Sequence, residues 1–299
     1  MKNRTSRACA RGARSPDLDP AHGKLRTRAP MIRIVLELAV RALACATLFA
    51  APLASAAPPS VFLEELTWTE VRDAIAAGAT TAIVPVGGTE QSGPHMTLGK
   101  HNVRVRVLAG RIATALGNAI VAPVVAYVPE GSIDPPTGHM RYPGTLSVPV
   151  DVFERTLEAA ARSLARGGFR DIVFLGDHGG TQTSLEAVAK RLDRTWKASP
   201  ARAHAIVEYY RATETVYRKA LAAHGHSDAE IGTHAGLADT SLSLAVDPAI
   251  VRTDAMAAAP RAGDGTAGDP RAATKALGEA GVNAIVAASV EAIRRATMR

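Results

Sequence analysis

Two short apolar runs, each leading through a glycine-containing loop into a helical pattern, predict an α/β fold: three layers, with a mostly parallel sheet flanked by helices. The runs are Thr81-Ala82-Ile83-Val84-Pro85-Val86 and Asp171-Ile172-Val173-Phe174-Leu175, both apolar after their first residue, as strands covered on two faces are. The third observation is chemical. Both following loops carry metal-binding residue types, Glu90 and His95 in one and His178 in the other. Parallel strands would bring these loops to one sheet edge, where open α/β folds place ligands.

From the N-terminus, residues 1–30 are polar and Arg-rich and read as an untranslated or disordered extension, with translation starting at Met31. Residues 31–56 have a basic start, a short apolar core and a small-residue end, Ala54-Ser55-Ala56, and read as a secretory signal peptide. Glu37 and Arg41 interrupt the apolar core, so no stable membrane span is expected. The competing reading is a cytosolic protein with a disordered arm. Residues 1–56 hold 10 of the 35 Lys+Arg and 3 of the 28 Asp+Glu, so residues 57–299 are formally neutral. The basic isoelectric point therefore gives no support to a nucleic-acid partner. Cys9 and Cys45 both lie before residue 57, so a secreted, periplasmic chain would carry no disulfide and no thiolate ligand.

Within 57–299, Thr69–Ala77 reads as an opening helix and Thr81–Val86 as the first strand. Val103–Leu116 reads as a helix, Asn118–Val125 as a strand, and Val128–Val148 as a long Pro/Gly-rich loop of the kind that is usually functional or disordered. Asp151–Arg166 has helical spacing with Asp151 as N-terminal cap. The strand from Asp171 precedes a helix over Ser184–Lys197, a strand over His204–Tyr209 and a last Ala-rich helix from Val282.

Four clusters hold the chemistry: Glu90/His95/His101, His139, Asp177-His178-Gly179-Gly180, and the segment from His234 to Ser241. Glu90, His101 and His178 would form a two-His, one-carboxylate set that leaves a coordination position for water, the catalytic rather than the structural metal pattern. The plain alternatives are histidines that only hydrogen-bond within loops, and a Gly179-Gly180 pair that only makes a turn or cradles a phosphate.

The stretch Gly87-Gly88-Thr89-Glu90-Gln91-Ser92-Gly93-Pro94-His95 resembles the G-S-T-E-Q-H-G-P-H signature of the creatininase (creatinine amidohydrolase) family. Three segments agree in order: Glu130 through His139-Met140-Arg141-Tyr142-Pro143-Gly144-Thr145, Asp177-His178-Gly179-Gly180, and His234-Ala235-Gly236-Leu237-Ala238-Asp239-Thr240-Ser241. The resemblance implies a creatininase-like domain over 57–299, a homo-oligomer, and a Zn or Mn site that hydrolyses amide C–N bonds. It places metal ligands on Glu90, His178 and Asp239. Two positions depart. The family's second motif histidine falls on Ser92, and the aspartate that bridges two metals there falls on His101. One divalent ion per chain, Zn before Mn, is therefore expected rather than two, held by Glu90, His101 and His178 with Asp239 as a further ligand. Asp239 or His139 would move the proton. Ser92, His95, Asp177, Gly179, Gly180 and His234 would shape the pocket for a small-molecule amide. The rival is a non-catalytic relative that binds a small molecule or a partner through a degraded metal site.

Overall fold

Strand β1 (Thr81–Val86) lies mid-sheet, and its six residues are all buried. In the computed structural model, which describes residues 58–298, it pairs in parallel with β2 (Ala119–Val121) on one side and β3 (Asp171–Gly176) on the other. A fourth strand, β4 (Arg202–Ala205), extends the parallel sheet beyond β3, giving the order β2-β1-β3-β4. Chain order reverses direction between β1 and β3. That is the switch point at which parallel sheets open a crevice beyond their carboxyl ends. The extension and the signal peptide read from the sequence lie outside the described residues.

Alternate side chains of β1 serve two cores, which makes the sheet the middle of three layers. Ile83 packs in one core with Leu108 and Ile112, while Ala82, Val84 and Val86 pack in the other with Phe153 and Leu157. The α-helices of five or more residues, in chain order, are α1 (Trp68–Ala76), α2 (Lys100–Leu116), α3 (Val150–Gly167), α4 (Gln182–Thr195), α5 (Glu208–Ala212), α6 (Arg218–Ala223), α7 (Leu237–Val246) and α8 (Lys275–Thr297). A π-helical turn, Thr213–Tyr217, joins α5 to α6. Helix α8 is long and apolar enough to cross a membrane by composition. Its buried side, with Val282, Ile285 and Ile293, lies instead in the first core. Gly278 of α8 lets α7 approach, since a Cβ there would run into the Ser241 carbonyl.

The sequence expectations need five corrections, one of them at the final helix, which begins at Lys275, seven residues before Val282. Helix α2 starts at Lys100, three residues early, so Lys100 and His101 occupy its first turn rather than a loop. The second strand stops at Val121, before Pro123, which has no N–H to give the ladder. Asp151 does not cap α3; it pairs with Arg155 on the next turn, and Pro149 stands at the cap position. The last strand is Arg202–Ala205, and Tyr209 is already helical, which carries its hydroxyl to Asp177 at 2.8 Å.

Candidate metal centre

Glu90, in the loop after β1, is fully buried, and its two oxygens face different neighbours. Oε2 lies 3.1 Å from His139 Nε2 and 3.3 Å from His178 Nε2. These three residues offer ligand atoms within 4.8 Å of one another. His178 comes from the loop after β3, and His139 from a short 3-10 turn in the long loop. A second carboxylate, Glu130, stands beside them with Oε2 at 3.3 Å from His178 Nε2.

These groups fit a cation. Among the described residues, the buried side-chain polar atoms without a hydrogen bond are Glu90 Oε2, both oxygens of Glu130, and Ser92 Oγ. Two of these oxygens, Glu90 Oε2 and Glu130 Oε2, share one imidazole nitrogen that has a single N–H to give, and leaving buried carboxylate oxygens bare in a dry interior is expensive. Burial, and then the Glu90 charge, push Glu130 up to about 8 against the pull of His178. Burial alone would lower His178, but the contact with Glu90 and the charges of Glu90 and Glu130 outweigh it and raise its pKa. Two imidazoles and a carboxylate are a borderline-soft donor set suited to Zn²⁺ or Mn²⁺.

The Oε1 side of Glu90 is organised by the first turn of α2. His101 Nε2 lies 2.8 Å from Oε1, and its Nδ1 lies 2.6 Å from Asp177 Oδ2. Lys100, fully buried, reaches Asp239 Oδ2 at 2.7 Å and stands 3.8 Å from Glu90 Oε1. Arg104, one turn on, donates to Asp177 Oδ2 from Nε at 3.0 Å and Nη2 at 2.7 Å, and to Asp239 Oδ1 from Nη1 at 2.6 Å. Two cations at a helix N-terminus oppose the macrodipole, and this first turn has no acidic residue of its own. The carboxylates that balance them arrive from β3 and α7. Burial would raise both aspartates, but Arg104 holds Asp177 low, and Lys100 with Arg104 holds Asp239 well below the carboxylate range.

A cavity of about 660 Å³ opens over this group, lined by Glu90, His139, His178, His234, Asp177 and Asp239 among others. His234 precedes Ala235, a non-glycine residue held at φ 54°, whose N–H donates to Asp239 at 2.9 Å. His234 Nε2 is 3.0 Å from the Gln91 carbonyl oxygen, so that nitrogen must carry the hydrogen and donate. Nδ1 is left as an acceptor, 3.7 Å from Glu90 Oε1. Burial, with the Lys100 charge, lowers His234 to about 4, so the ring is neutral at pH 7.

Of the sequence-read ligands, the structure brings Glu90 and His178 into the convergent group, with His139 in the third place given to His101. His101 is turned between two carboxylates, and Asp239 has both oxygens taken by Lys100, Arg104 and the Ala235 N–H. Of the sequence-read pocket residues, Asp177, Gly179, Gly180 and His234 line the cavity. Ser92 and His95 are buried outside its lining, His95 bonded to Thr240 Oγ1 at 2.9 Å. Glu130, Lys100 and Arg104 join the site although the sequence pattern does not mark them as site residues. A signal for the last two is present, since Lys100 and Arg104 stand four residues apart in line with Leu108 and Ile112, and cations on a helix's apolar face need buried partners.

Residues 64–293 match the family described as creatininase, creatinine amidohydrolase. The chain belongs to the creatininase family. It is 34% identical over 119 residues to the creatinine amidohydrolase of Pseudomonas putida, a match covering 40% of this chain and 45% of that one. It is 36% identical over 115 residues to the mycofactocin precursor peptide peptidase of Mycolicibacterium smegmatis, covering 37% and 44%. These matches thus span less than half the length of either relative. The crystal structure of a creatininase superposes with a TM-score of 0.67 at 25% identity, covering 81% of this chain and 99% of that one. Other solved creatininases, 26% and 27% identical, are described as a mutant of Zn–Zn type and as the Mn form. By their names, these creatininase relatives are hydrolases of amide C–N bonds.

Proposed function

We propose that the chain is a metal-dependent amidohydrolase that cleaves a C–N bond in a small cyclic or linear amide. The observation that carries this reading is the convergence of Glu90, His139 and His178 beside three buried carboxylate oxygens that make no hydrogen bond. Glu90, His139 and His178 would hold one divalent cation, Zn²⁺ before Mn²⁺, with Glu130 alongside. A cation held there supplies Lewis-acid chemistry, polarising an amide carbonyl and acidifying water.

The remaining roles belong to side chains. Gln91 lies between the two rings, its side-chain nitrogen 2.9 Å from His139 Nδ1 and its backbone carbonyl oxygen 3.0 Å from His234 Nε2, where it accepts the ring hydrogen. His234, neutral and with Nδ1 open as an acceptor, takes a proton from the attacking water and returns it to the departing nitrogen. Asp239 is neutralised by two cations and is unsuited to proton transfer; it anchors α2 to α7 at the cavity wall. Residues 31–56, with a cysteine-free remainder, support secretion to an oxidising compartment.

The test is elemental analysis of the purified protein, followed by hydrolysis assays on cyclic and linear amides, creatinine included. Bound Zn or Mn, with His178→Ala losing both metal and hydrolysis, is the expected result. Failure to take up any divalent ion, or full activity in His178→Ala, would sink the proposal and favour the binding-protein reading.

A further inference from the structure

The two oxygens of Glu90 divide the centre into halves that differ in charge balance. On the Oε2 side lie His139, His178 and Glu130, with every unpaired carboxylate oxygen found among the described residues. On the Oε1 side no carboxylate oxygen is unpaired. Asp239 Oδ1 takes Arg104, and its Oδ2 takes Lys100 and the Ala235 N–H. Asp177 Oδ2 takes Arg104 and His101, and its Oδ1 takes the Tyr209 hydroxyl. Two aspartates face one lysine and one arginine, and all four side chains are at least four-fifths buried.

Lys100 holds the decisive position. Its ammonium stands between Asp239 Oδ2 at 2.7 Å and Glu90 Oε1 at 3.8 Å, and His234 Nδ1 is 3.7 Å from that same Glu90 oxygen. Two carboxylate oxygens, Glu90 Oε1 and Asp239 Oδ2, thus face one point, and oxygen pairs of this kind attract a cation. The point is filled by a protein cation.

We propose that Lys100 is the built-in occupant of a second cation position: this chain binds one divalent ion, on the Oε2 side of Glu90, and Lys100 with Arg104 supplies positive charge on the Oε1 side. The inference rests on the metal reading above and goes beyond it by assigning Lys100 as a positioning residue that withdraws Asp239 from coordination. A side-chain ammonium in this place does not dissociate and responds neither to metal supply nor to chelators.

The test is metal stoichiometry of the full chain after equilibration with Zn²⁺ and removal of unbound ion. Wild type and Lys100→Arg are expected to hold about one Zn²⁺ per chain, and Lys100→Ala, which removes charge and opens space, about two. Two in the wild type, or one in a Lys100→Ala protein that melts cooperatively, would overturn the proposal. None in the wild type would overturn the metal reading itself, and this inference with it. The spin-resonance spectrum of the Mn²⁺-loaded wild type decides the matter should Lys100→Ala not fold. An isolated-ion hyperfine pattern supports a single site, and an exchange-coupled pair refutes it.

Discussion

Replacing Arg104 by methionine tests whether the buried charge network is a coupled unit. Arg104 is 3% exposed, and its guanidinium donates three hydrogen bonds to carboxylates, two to Asp177 and one to Asp239. Methionine keeps much of the apolar stem and removes the charge. Breaking a buried ion pair from one side costs about 3–5 kcal/mol, because the partner's charge stays behind uncompensated. Here Asp239 retains Lys100 and the Ala235 N–H, and Asp177 retains His101 and Tyr209. The loss should therefore fall at the low end, about 3 kcal/mol, a large share of the roughly 5–15 kcal/mol by which domains are stable.

Urea unfolding followed by circular dichroism reads this directly. With a slope of about 3 kcal/mol per molar, the midpoint falls by about 1 M at unchanged slope. The double variant Arg104→Met/Asp177→Asn removes one of the charges left behind, so its loss should be smaller than the sum of the two single losses. A loss below about 1 kcal/mol for Arg104→Met, the size seen for exposed pairs, would refute the network argument. Strict additivity in the double variant would refute it as well.

Two further expectations concern parts of the fold away from the ligand atoms. Gly278→Ala on α8 forces a Cβ against the Ser241 backbone of α7 and should cost about 1–3 kcal/mol, whereas Gly167→Ala, with open space at its Cβ, should change stability by less than about 1 kcal/mol; equal melting temperatures for the two would show that the helix contact is looser than described. His95 is pulled below its ordinary value of 6.5, chiefly by burial and then by the Lys100 charge, so the folded state favours its neutral form. The stability this gives is complete above 6.5 and is lost as pH falls towards the lowered folded value, since the unfolded chain takes up the proton first. His95→Gln should flatten the fall in stability between pH 7 and 5; an identical slope in both proteins would show that His95 does not titrate differently on folding.

The parts of the molecule legible in the sequence are those whose causes are local. β1 and β3 announce themselves because a strand covered on both faces is a short apolar run, and Glu90 and His178 because each follows such a run directly. His101 and His139 show where locality fails. His101 is 11 residues from Glu90 and His139 is 49, so sequence proximity favours His101 as the ligand. Helix α2, however, begins at Lys100, and its first turn holds the His101 ring between Glu90 Oε1 and Asp177. His139 is delivered by the return of a long loop whose path no periodicity describes. Glu130 opens a segment that resembles the family, but a lone acid between Pro129 and Gly131 carries no mark of a site residue until folding buries it beside His178.

The charges of α2 are a different case, because their oddity is visible but their meaning is not. Lys100 and Arg104 break the helix's apolar pattern, which signals buried partners without saying which. Only the sheet order 2-1-3-4 supplies them, bringing the end of β3, with Asp177, beside the end of β1, while the chain that follows β4 brings α7 and Asp239 against α2. Substituting His101 for an aspartate therefore cannot be judged as the loss of one ligand. In this chain that imidazole bridges Glu90 to an aspartate already tied to Arg104, so the departure from the family signature and the buried cations are parts of one arrangement. A His101→Asp change alone would set a third carboxylate beside Glu90 and Asp177 with only Lys100 and Arg104 to offset it. Restoring the family residue at that position should weaken this protein unless Lys100 changes as well.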